Sequence, residues 1–308
     1  MRYVVTGAAG FIGSHLAETL QVAGHDVVGV DAFTDYYDVA RKRENAARVG
    51  VIDGDLLDLD LDALLAGAAG VFHLAGQPGV RASFGRDFEL YTRRNLLVSS
   101  AVFEAAARAG VRVVFASSSS VYGDAETYPT PEDAPLRPIA PYGVTKAACE
   151  QLAYALARTM GLDAVILRYF TVYGPRQRPD MALTPLLEAL AGGVPFRLFG
   201  DGSVARSFTY VDDAVAGTIA AMADGTAGEA YNVGGGEEAT MADVIALAER
   251  IAGCRLEVER APAAPGDVRR TRADVAKAAR ELGWAPATAL EDGLQAHWEW
   301  AAARVAAA

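Results

Sequence analysis

Cysteine is nearly absent from this chain of 308 residues, which contains only Cys149 and Cys254. Neither cysteine has a partner at the spacing of a metal site, and two distant cysteines provide no disulfide framework. We therefore expect a protein of a reducing compartment, namely the cytoplasm, with no bound metal.

Positive charge is also scarce. The chain has 28 lysines and arginines against 39 aspartates and glutamates, which gives a net charge of −11. Because nucleic acid binding requires a basic surface that neutralises phosphates, we expect no nucleic acid partner. An anionic small molecule remains compatible with the composition, since a local arginine cluster can oppose the global sign.

Long hydrophobic runs are missing as well. Although 52% of the residues are hydrophobic, no uninterrupted apolar run reaches the roughly 20 residues that a membrane-spanning helix needs. The first strand is predicted to begin at Arg2, which leaves no room for a signal peptide. We expect no membrane partner.

What is present begins with a strand, a glycine turn and a helix. Residues 2–6 form a β-branched run that stops at Gly7, and Gly10 and Gly13 follow at the start of a helical pattern. Glycines allow close backbone approach, and a helix N-terminus offers free N–H groups to a pyrophosphate. Asp31 ends the second predicted strand, 18 residues after Gly13. A carboxylate there binds an adenosine ribose and repels a 2′-phosphate, which favours NAD over NADP.

Strands alternating with helices continue through the first half of the chain. This alternation indicates an α/β fold, a Rossmann-type doubly wound parallel sheet whose ligands bind beyond the carboxyl ends of the strands. After Tyr173 the pattern gives way to turn and charged residues. We predict an NAD-binding domain of residues 1–173 and a smaller α/β substrate-binding domain of residues 174–308, some segments of which pack back on the first. Further strands are predicted at residues 49–52, 70–75, 112–117 and 164–169, and helices at residues 95–109 and 142–160.

Residues that can carry chemistry lie at the end of one of these strands and in the helix that follows it. Four serines, Ser117 to Ser120, stand at the carboxyl end of the strand that contains Phe115. Tyr142 and Lys146 are four residues apart in a predicted helix and therefore share one face. A phenol with an ammonium one turn away is the minimum set for proton transfer to or from an alcohol. Such a pair also occurs on solvated helix surfaces, so its meaning depends on the glycine loop, Asp31 and the serines.

Together these stretches carry a resemblance that covers nearly the whole chain. The sequence resembles the extended short-chain dehydrogenase/reductases of the nucleotide-sugar epimerase/dehydratase family. The set is specific, although each piece alone is not. The matching stretches are TGAAGFIG (6–13), HLAG (73–76), SSSSVYG (117–123), PYGVTK (141–146), RYF (168–170) and FTYVDD (208–213).

The resemblance implies catalytic roles for three residues. Tyr142 is expected to act as base on the sugar 4-hydroxyl while hydride leaves C4 for the nicotinamide. Ser118 is expected to hydrogen-bond the same hydroxyl, and Lys146 to hold the nicotinamide ribose. The residues expected to bind NAD are Gly7, Gly10, Phe11, Ile12, Gly13, Asp31, Asp55, Leu56, Leu74, Ala75, Tyr142, Lys146 and Tyr169.

The two residues after Ser118 separate the reactions of this family. Dehydratases that resemble this chain have an Asp-Glu pair there, and decarboxylating relatives have a Glu at the second position. In this chain they are Ser119 and Ser120. Without an acid, elimination lacks its proton donor, and return of the hydride to the 4-ketone remains. The expected reaction is epimerisation at C4.

The resemblance also suggests which sugar is bound. UDP-glucose 4-epimerases usually have Asn-Pro where Thr171-Val172 stands, whereas Thr171 and the Arg178-Pro-Asp-Met-Ala run are similar to UDP-glucuronate 4-epimerases. An arginine fork and a hydroxyl suit a C6 carboxylate, although Arg178 as a surface charge is the alternative. Arg206 is expected to pair with the diphosphate. Many relatives have a second diphosphate arginine where this chain has Ala264, for which Arg81 or Arg269 is expected to compensate. The predicted substrate-binding residues are Arg81, Ser119, Ser120, Thr171, Arg178, Arg206 and Arg269.

Alternatives remain at this point. UDP-glucose/UDP-galactose 4-epimerisation is the nearest, and Thr171 and Arg178 argue against it. From another class, the chain could be a non-catalytic NAD-binding regulator or scaffold, against which the retention of Ser118, Tyr142 and Lys146 argues. The resemblance further implies a homodimer in which the helices at residues 95–109 and 145–160 pair into a four-helix bundle.

Overall fold

The computed structural model describes residues 1–262, 268 and 270–307. The strands are β1 (Arg2–Thr6), β2 (Asp26–Asp31), β3 (Val51–Asp53), β4 (Gly70–His73), β5 (Arg112–Ser118), β6 (Ala164–Tyr169), β7 (Thr171–Tyr173), β8 (Phe196–Phe199), β9 (Ala205–Tyr210), β10 (Ala230–Val233), β11 (Glu238–Thr240), β12 (Val258–Ala261) and β13 (Arg270–Thr271). The helices are α1 (Phe11–Val22), α2 (Val39–Ala46), α3 (Leu61–Leu65), α4 (Phe88–Tyr91), α5 (Val98–Ala109), α6 (Pro141–Met160), α7 (Leu183–Gly192), α8 (Val211–Asp224), α9 (Met241–Ala252), α10 (Ala276–Leu282) and α11 (Leu290–Ala307).

A seven-stranded sheet in the order β10-β6-β5-β4-β1-β2-β3 forms the centre of the molecule. Each neighbouring pair of its strands is parallel. The predicted α/β fold with a Rossmann-type parallel sheet is therefore confirmed. One helix differs from its prediction, because the helical segment expected from residue 95 already begins at Phe88 and passes through a π-helical stretch, Thr92–Leu97.

Successive strand residues point to opposite faces of the sheet, and helices cover both faces. On β5, Val114 joins a core that includes Leu16 of α1 and Val215 of α8. Its neighbour Val113 joins a second core with Phe103 of α5 and residues of α6. The sheet is thus packed between α1 and α8 on one side and α5 and α6 on the other.

A smaller layer lies beyond β7. There β9 pairs with β7, β11 and β13, and Leu187 of α7, Phe196 of β8 and Leu294 of α11 share a third core. Two elements that follow residue 173 belong to the large sheet and its helices, because β10 pairs with β6 and α8 packs on α1. The domain boundary at residue 173 stays a prediction. None of the described helices combines the length and apolar character needed to cross a membrane.

Candidate active site

One cleft, with a volume of about 1440 Å³, lies at the edge where β1, β2, β4, β5 and β6 end. All of the predicted cofactor, catalytic and substrate residues in the described part of the chain line it. Arg269 and Ala264, which the predictions also named, lie outside the described residues. The structure therefore brings the candidates together, while the role of each residue stays a prediction.

The glycine turn after β1 has the shape that a pyrophosphate requires. Gly7 has a φ of +73°, and a Cβ on Gly13 would lie 2.1 Å from the Gly7 carbonyl oxygen. Gly10 precedes α1 without a side-chain cap, and the first turn of α1 carries no acid. The positive end of the helix dipole is thus left open to an anion beside Phe11 and Ile12, which line the cleft.

Asp31 stands at the end of β2, where an adenosine ribose would lie. Its Oδ1 accepts a hydrogen bond from the Phe33 N–H at 2.9 Å, and its Oδ2 accepts one from the Ala9 N–H at 3.1 Å. Burial raises the pKa of Asp31, although these donors and the nearby Lys42 oppose the shift. The glycine turn and this carboxylate fit NAD. Lys42, which the sequence did not single out, also lines the cleft and donates to the Thr34 carbonyl oxygen at 2.7 Å.

Tyr142 and Lys146 lie in the first two turns of α6, which begins with Pro141 in the favoured first helical position. Lys146 is only 5% exposed, and its Nζ donates to the Ala116 carbonyl oxygen at 2.7 Å. The Tyr142 ring meets the Tyr91 ring edge-on, with centroids 6.2 Å apart. A buried ammonium and a phenol therefore face the cleft from one helix face.

The serines after β5 form a tight turn against the start of α6. The Ser120 N–H donates to Ser118 Oγ at 3.2 Å, and Ser118 Oγ donates to Ser120 Oγ at 3.1 Å. A Cβ on Gly143 would lie 2.4 Å from the Ser120 carbonyl oxygen. Only glycine permits this approach, which lets the start of α6 lie close against the serine turn at the cleft.

A buried polar network that the sequence analysis missed supports this arrangement. Glu150 lies one turn beyond Lys146 on the same face of α6 and accepts a hydrogen bond from Ser117 Oγ at 2.5 Å. Its Oε2 accepts a hydrogen bond from Arg168 Nη2 at 2.7 Å, and both side chains are almost fully buried. Arg168 also donates to Tyr122 Oη at 2.8 Å. The helical spacing from Tyr142 to Glu150 was the available signal.

Arg178 enters the cleft from the loop between β7 and α7. Its guanidinium pairs with the Asp180 carboxylate, and Tyr36 Oη donates to the same carboxylate at 3.1 Å. Burial opposes the charged form of Arg178, but Asp180 and the nearby phenols of Tyr36 and Tyr142 outweigh it and raise the pKa. Arg178 is therefore a cleft residue close to Tyr142, whereas the alternative was a surface charge.

Other arginines line the cleft, and two of them contact the same aromatic ring. The guanidinium carbon of Arg81 lies 4.7 Å from the centroid of the Phe199 ring, and that of Arg197 lies 5.2 Å from it. Arg206 Nη2 donates to the Val268 carbonyl oxygen at 2.7 Å. This cationic part suits a diphosphate, and Arg197 and Phe199 are additions that the sequence analysis did not name.

The fold and the cleft define an NAD-binding enzyme with a phenol, an ammonium and serines together at one edge of the parallel sheet. The chain belongs to the NAD dependent epimerase/dehydratase family, whose model matches residues 3–234. This confirms the resemblance seen in the sequence and, with it, NAD as the cofactor.

Three known proteins show how similar the chain is to individual members. It is 41% identical over 303 residues to the uncharacterised UDP-glucose epimerase YtcB of Bacillus subtilis, covering 96% of each chain. A crystal structure of UDP-glucuronic acid 4-epimerase from Bacillus cereus in complex with UDP-glucuronic acid and NAD is 40% identical, with a TM-score of 0.94 and coverage of 98% and 99%. MoeE5 has been crystallised with NAD and either UDP-glucuronic acid or UDP-glucose. In the UDP-glucose complex it is 40% identical, with a TM-score of 0.89 and full coverage of both chains.

Proposed function

We propose that this chain is a UDP-glucuronate 4-epimerase, which interconverts UDP-glucuronate and UDP-galacturonate. The observation that carries the proposal is the composition of one cleft. Thr171 and Arg178 line it together with Tyr142, and Ser119 and Ser120 stand where related dehydratases have acids. The similarity to the Bacillus cereus enzyme, which binds UDP-glucuronic acid and NAD, supports the same substrate.

The side chains of the cleft perform the proton transfers. Bound NAD supplies the site that takes hydride from C4 of the sugar and later returns it. Tyr142, as a phenolate, takes the proton of the 4-hydroxyl and becomes a neutral phenol. Lys146, held by the Ala116 carbonyl oxygen, offers its positive charge from the same helix face. Ser118 donates a hydrogen bond to the same sugar oxygen. After the 4-keto sugar has turned over, Tyr142 returns the proton.

The size of the cleft is compatible with this rotation. Its volume of about 1440 Å³ exceeds the roughly 300–1,000 Å³ of a typical ligand site, as expected for two large ligands. Arg81, Arg197 and Arg206 would hold the diphosphate by charge, while the sugar ring turns beside Tyr142. The nucleotide thus stays anchored and the same hydride reaches the other face of C4.

A uronate substrate adds a chemical hazard. The 4-keto intermediate is a β-keto acid, which loses CO2 when the bond to its carboxylate stands perpendicular to the carbonyl plane. We propose that Thr171, Arg178 and one of Ser119 or Ser120 hold the carboxylate away from that geometry. The absence of an acid at positions 119 and 120 also removes the proton donor that elimination would need.

The test uses the purified protein with UDP-glucuronate and with UDP-glucose in separate reactions, without added NAD, followed by NMR of the anomeric protons. We expect conversion of UDP-glucuronate to UDP-galacturonate.

Arg178→Ala should lower kcat/KM for UDP-glucuronate by about 10- to 100-fold, the effect of a lost charged hydrogen bond, and should release a 4-keto-pentose nucleotide. Arg108→Ala, at an exposed pair with Asp62, is the matched control. Unchanged turnover in Arg178→Ala would remove Arg178 from the site.

UDP-glucose/UDP-galactose 4-epimerisation is the second candidate. The similarity to the Bacillus subtilis protein, whose name is that of a UDP-glucose epimerase, favours it. The same NMR experiment separates the two candidates, because conversion of UDP-glucose without conversion of UDP-glucuronate would contradict the proposed substrate.

We also propose that the protein is a cytoplasmic homodimer. Leu97 before α5 and Val144 on α6 are 51% and 45% exposed, which gives these helices apolar groups that a second copy would cover. Both cysteines are free thiols and Cys254 is exposed, which suits a reducing compartment. The molar mass in solution, measured by light scattering, tests the dimer.

A further inference from the structure

Arg178 does not face the cleft alone. Its Nε donates to Asp180 Oδ1 at 2.9 Å and its Nη2 donates to Asp180 Oδ2 at 3.0 Å. The two side chains are 22% and 28% exposed, and both residues line the cleft. A carboxylate of the chain thus occupies the arginine fork that a uronate substrate would be expected to use.

The pair is charged and is held from a second loop. Burial acts to raise the pKa of Asp180, but the charge and hydrogen bonds of Arg178 and the hydroxyl of Tyr36 hold that pKa below its usual value. Tyr36 follows β2, in the loop beyond the ribose-binding Asp31, and its Oη donates to Asp180 Oδ2 at 3.1 Å. Burial raises the pKa of Tyr36, so the hydroxyl keeps its proton as a donor. Asp180 is therefore fixed from both sides.

This pairing changes what the cleft can accept at C6 of the sugar. A lone buried guanidinium would be left uncompensated beside a neutral hydroxymethyl group, which strongly disfavours such a ligand. With Asp180 in place, Arg178 is neutralised whichever sugar binds. A guanidinium has five N–H donors, and Asp180 engages only Nε and Nη2. Donors of Nη1 therefore remain for a substrate carboxylate, which Asp180 at the same time repels.

We propose that Asp180 is the resident counter-ion of Arg178 and sets how strongly the site prefers a C6 carboxylate over a C6 hydroxymethyl group. This inference rests on the proposed function, because it concerns the selectivity of that same sugar site. The counter-ion role predicts that this chain turns over UDP-glucose at a measurable rate. It also predicts a weaker preference for UDP-glucuronate than the same site would have without the Asp180 charge.

The experiment compares UDP-glucuronate with UDP-glucose in the wild type and in Asp180→Asn, which keeps the side-chain shape and removes the charge. We expect the ratio of kcat/KM for glucuronate to that for glucose to rise about 10-fold or more in the variant. The change should come from KM, since Asp180 does not touch the reacting C4. An unchanged ratio, or a parallel loss with both substrates, would overturn the proposal.

Two further variants show whether Asp180 acts through Arg178. Tyr36→Phe removes the hydroxyl that bonds Asp180 but leaves the charge of Asp180 in place. The ratio of kcat/KM for glucuronate to that for glucose should therefore shift far less than in Asp180→Asn. In an Arg178→Ala background, Asp180→Asn should no longer change the ratio, and a persisting change would contradict the counter-ion role. Asp180→Ser replaces Asp180→Asn if the latter does not fold.

Binding measurements separate a failure of this inference from a failure of the proposed function. Calorimetric titration of the NAD-loaded protein with each nucleotide sugar gives the same affinity ratio without turnover. If the wild type binds but does not epimerise UDP-glucuronate, the proposed function is wrong and the ratio still tests Asp180. If the wild type epimerises it and the ratio is the same in Asp180→Asn, the counter-ion role is wrong.

Discussion

Gly13 leaves no room for a side chain, because a Cβ there would lie 2.1 Å from the Gly7 carbonyl oxygen. We expect Gly13→Ala to push the glycine turn outward and to lower the NAD content of the purified protein by about 10-fold or more, the effect of losing hydrogen bonds to a charged group. The bound nucleotide is measured by chromatography after denaturation.

Gly192→Ala is the matched control for this prediction. Gly192 is the last residue of α7, and the nearest atom to a Cβ there is 3.8 Å away on Val305. We expect this variant to keep its NAD. Its free energy of unfolding should be unchanged or higher by up to ~1 kcal/mol, since alanine is the better helix former. Equal NAD contents in the two variants would show that the close approach at Gly13 is not needed.

Contacts between residues within one helical turn could be predicted from spacing alone, whereas contacts between residues of different loops could not. Tyr142 and Lys146 are visible in the sequence because helical spacing alone places them on one face. Tyr36 and Asp180 are 144 positions apart, and their hydrogen bond depends on how two loops meet. The pairing of Arg178 with Asp180 was also missed, because loop residues two apart have no fixed relative direction.

Among the elements, α6 carries the proposed catalytic groups and a structural carboxylate on one face. Beyond Tyr142 and Lys146, Glu150 is fully buried and binds Arg168 of β6 and Ser117 of β5. The network therefore fixes the height and rotation of α6 relative to the strand ends that carry the serines. We therefore expect Tyr142 to reach a substrate only if this helix is held in place.

Removal of Glu150 should consequently cost stability and activity together. Glu150→Ala leaves the buried Arg168 guanidinium without its counter-ion, which we expect to lower the free energy of unfolding by about 3–5 kcal/mol. Because α6 is no longer fixed to β5 and β6, kcat should fall further than the unfolded fraction explains. Urea unfolding and steady-state kinetics measure the two effects.

A surface ion pair gives the scale for this effect. Asp62 is 63% exposed and pairs with Arg108 at 2.9 Å, so Asp62→Ala should cost less than about 1 kcal/mol. If Glu150→Ala costs no more than Asp62→Ala, the buried network does not hold α6.

At the level of elements, strong periodic segments were predicted well. The bounds of β1 and β6 and the extent of α6 agree with the prediction, because β-branched runs and helical spacing are local signals. The start of the α4–α5 helical segment was missed, since the residues that extend it to Phe88 pack against α6 rather than follow a clear pattern. The return of β10 to the large sheet depends on tertiary pairing with β6, which a local pattern does not encode.

For the whole molecule, two buried histidines and one partly buried histidine connect stability with pH. Burial lowers the pKa of His73 and of His297 to about 3, and burial with the nearby Arg176 lowers the pKa of His15 to about 4. His73 lies in β4 of the large sheet, His297 in α11 of the smaller layer, and His15 in α1. Protonation is therefore unfavourable in each of the packed layers.

Acid should destabilise the fold from about pH 6.5 downward. Below that pH the unfolded chain binds a proton at each of these histidines, whereas the folded chain binds none until about pH 4 or 3. The cost for each histidine approaches ~1.4 kcal/mol per pH unit well below pH 6.5, so three histidines remove about 5 kcal/mol between pH 6.5 and pH 5. Urea unfolding at pH 7, 6 and 5 measures the slope of the free energy of unfolding against pH, to which paired carboxylates add only at lower pH.

The variant His297→Gln tests one of the three contributions. The glutamine can still bond the Thr184 hydroxyl, which lies 3.1 Å from His297 Nε2, and the variant should lose about one third of the slope. A slope that His297→Gln leaves unchanged would show that this histidine is not held neutral by the fold.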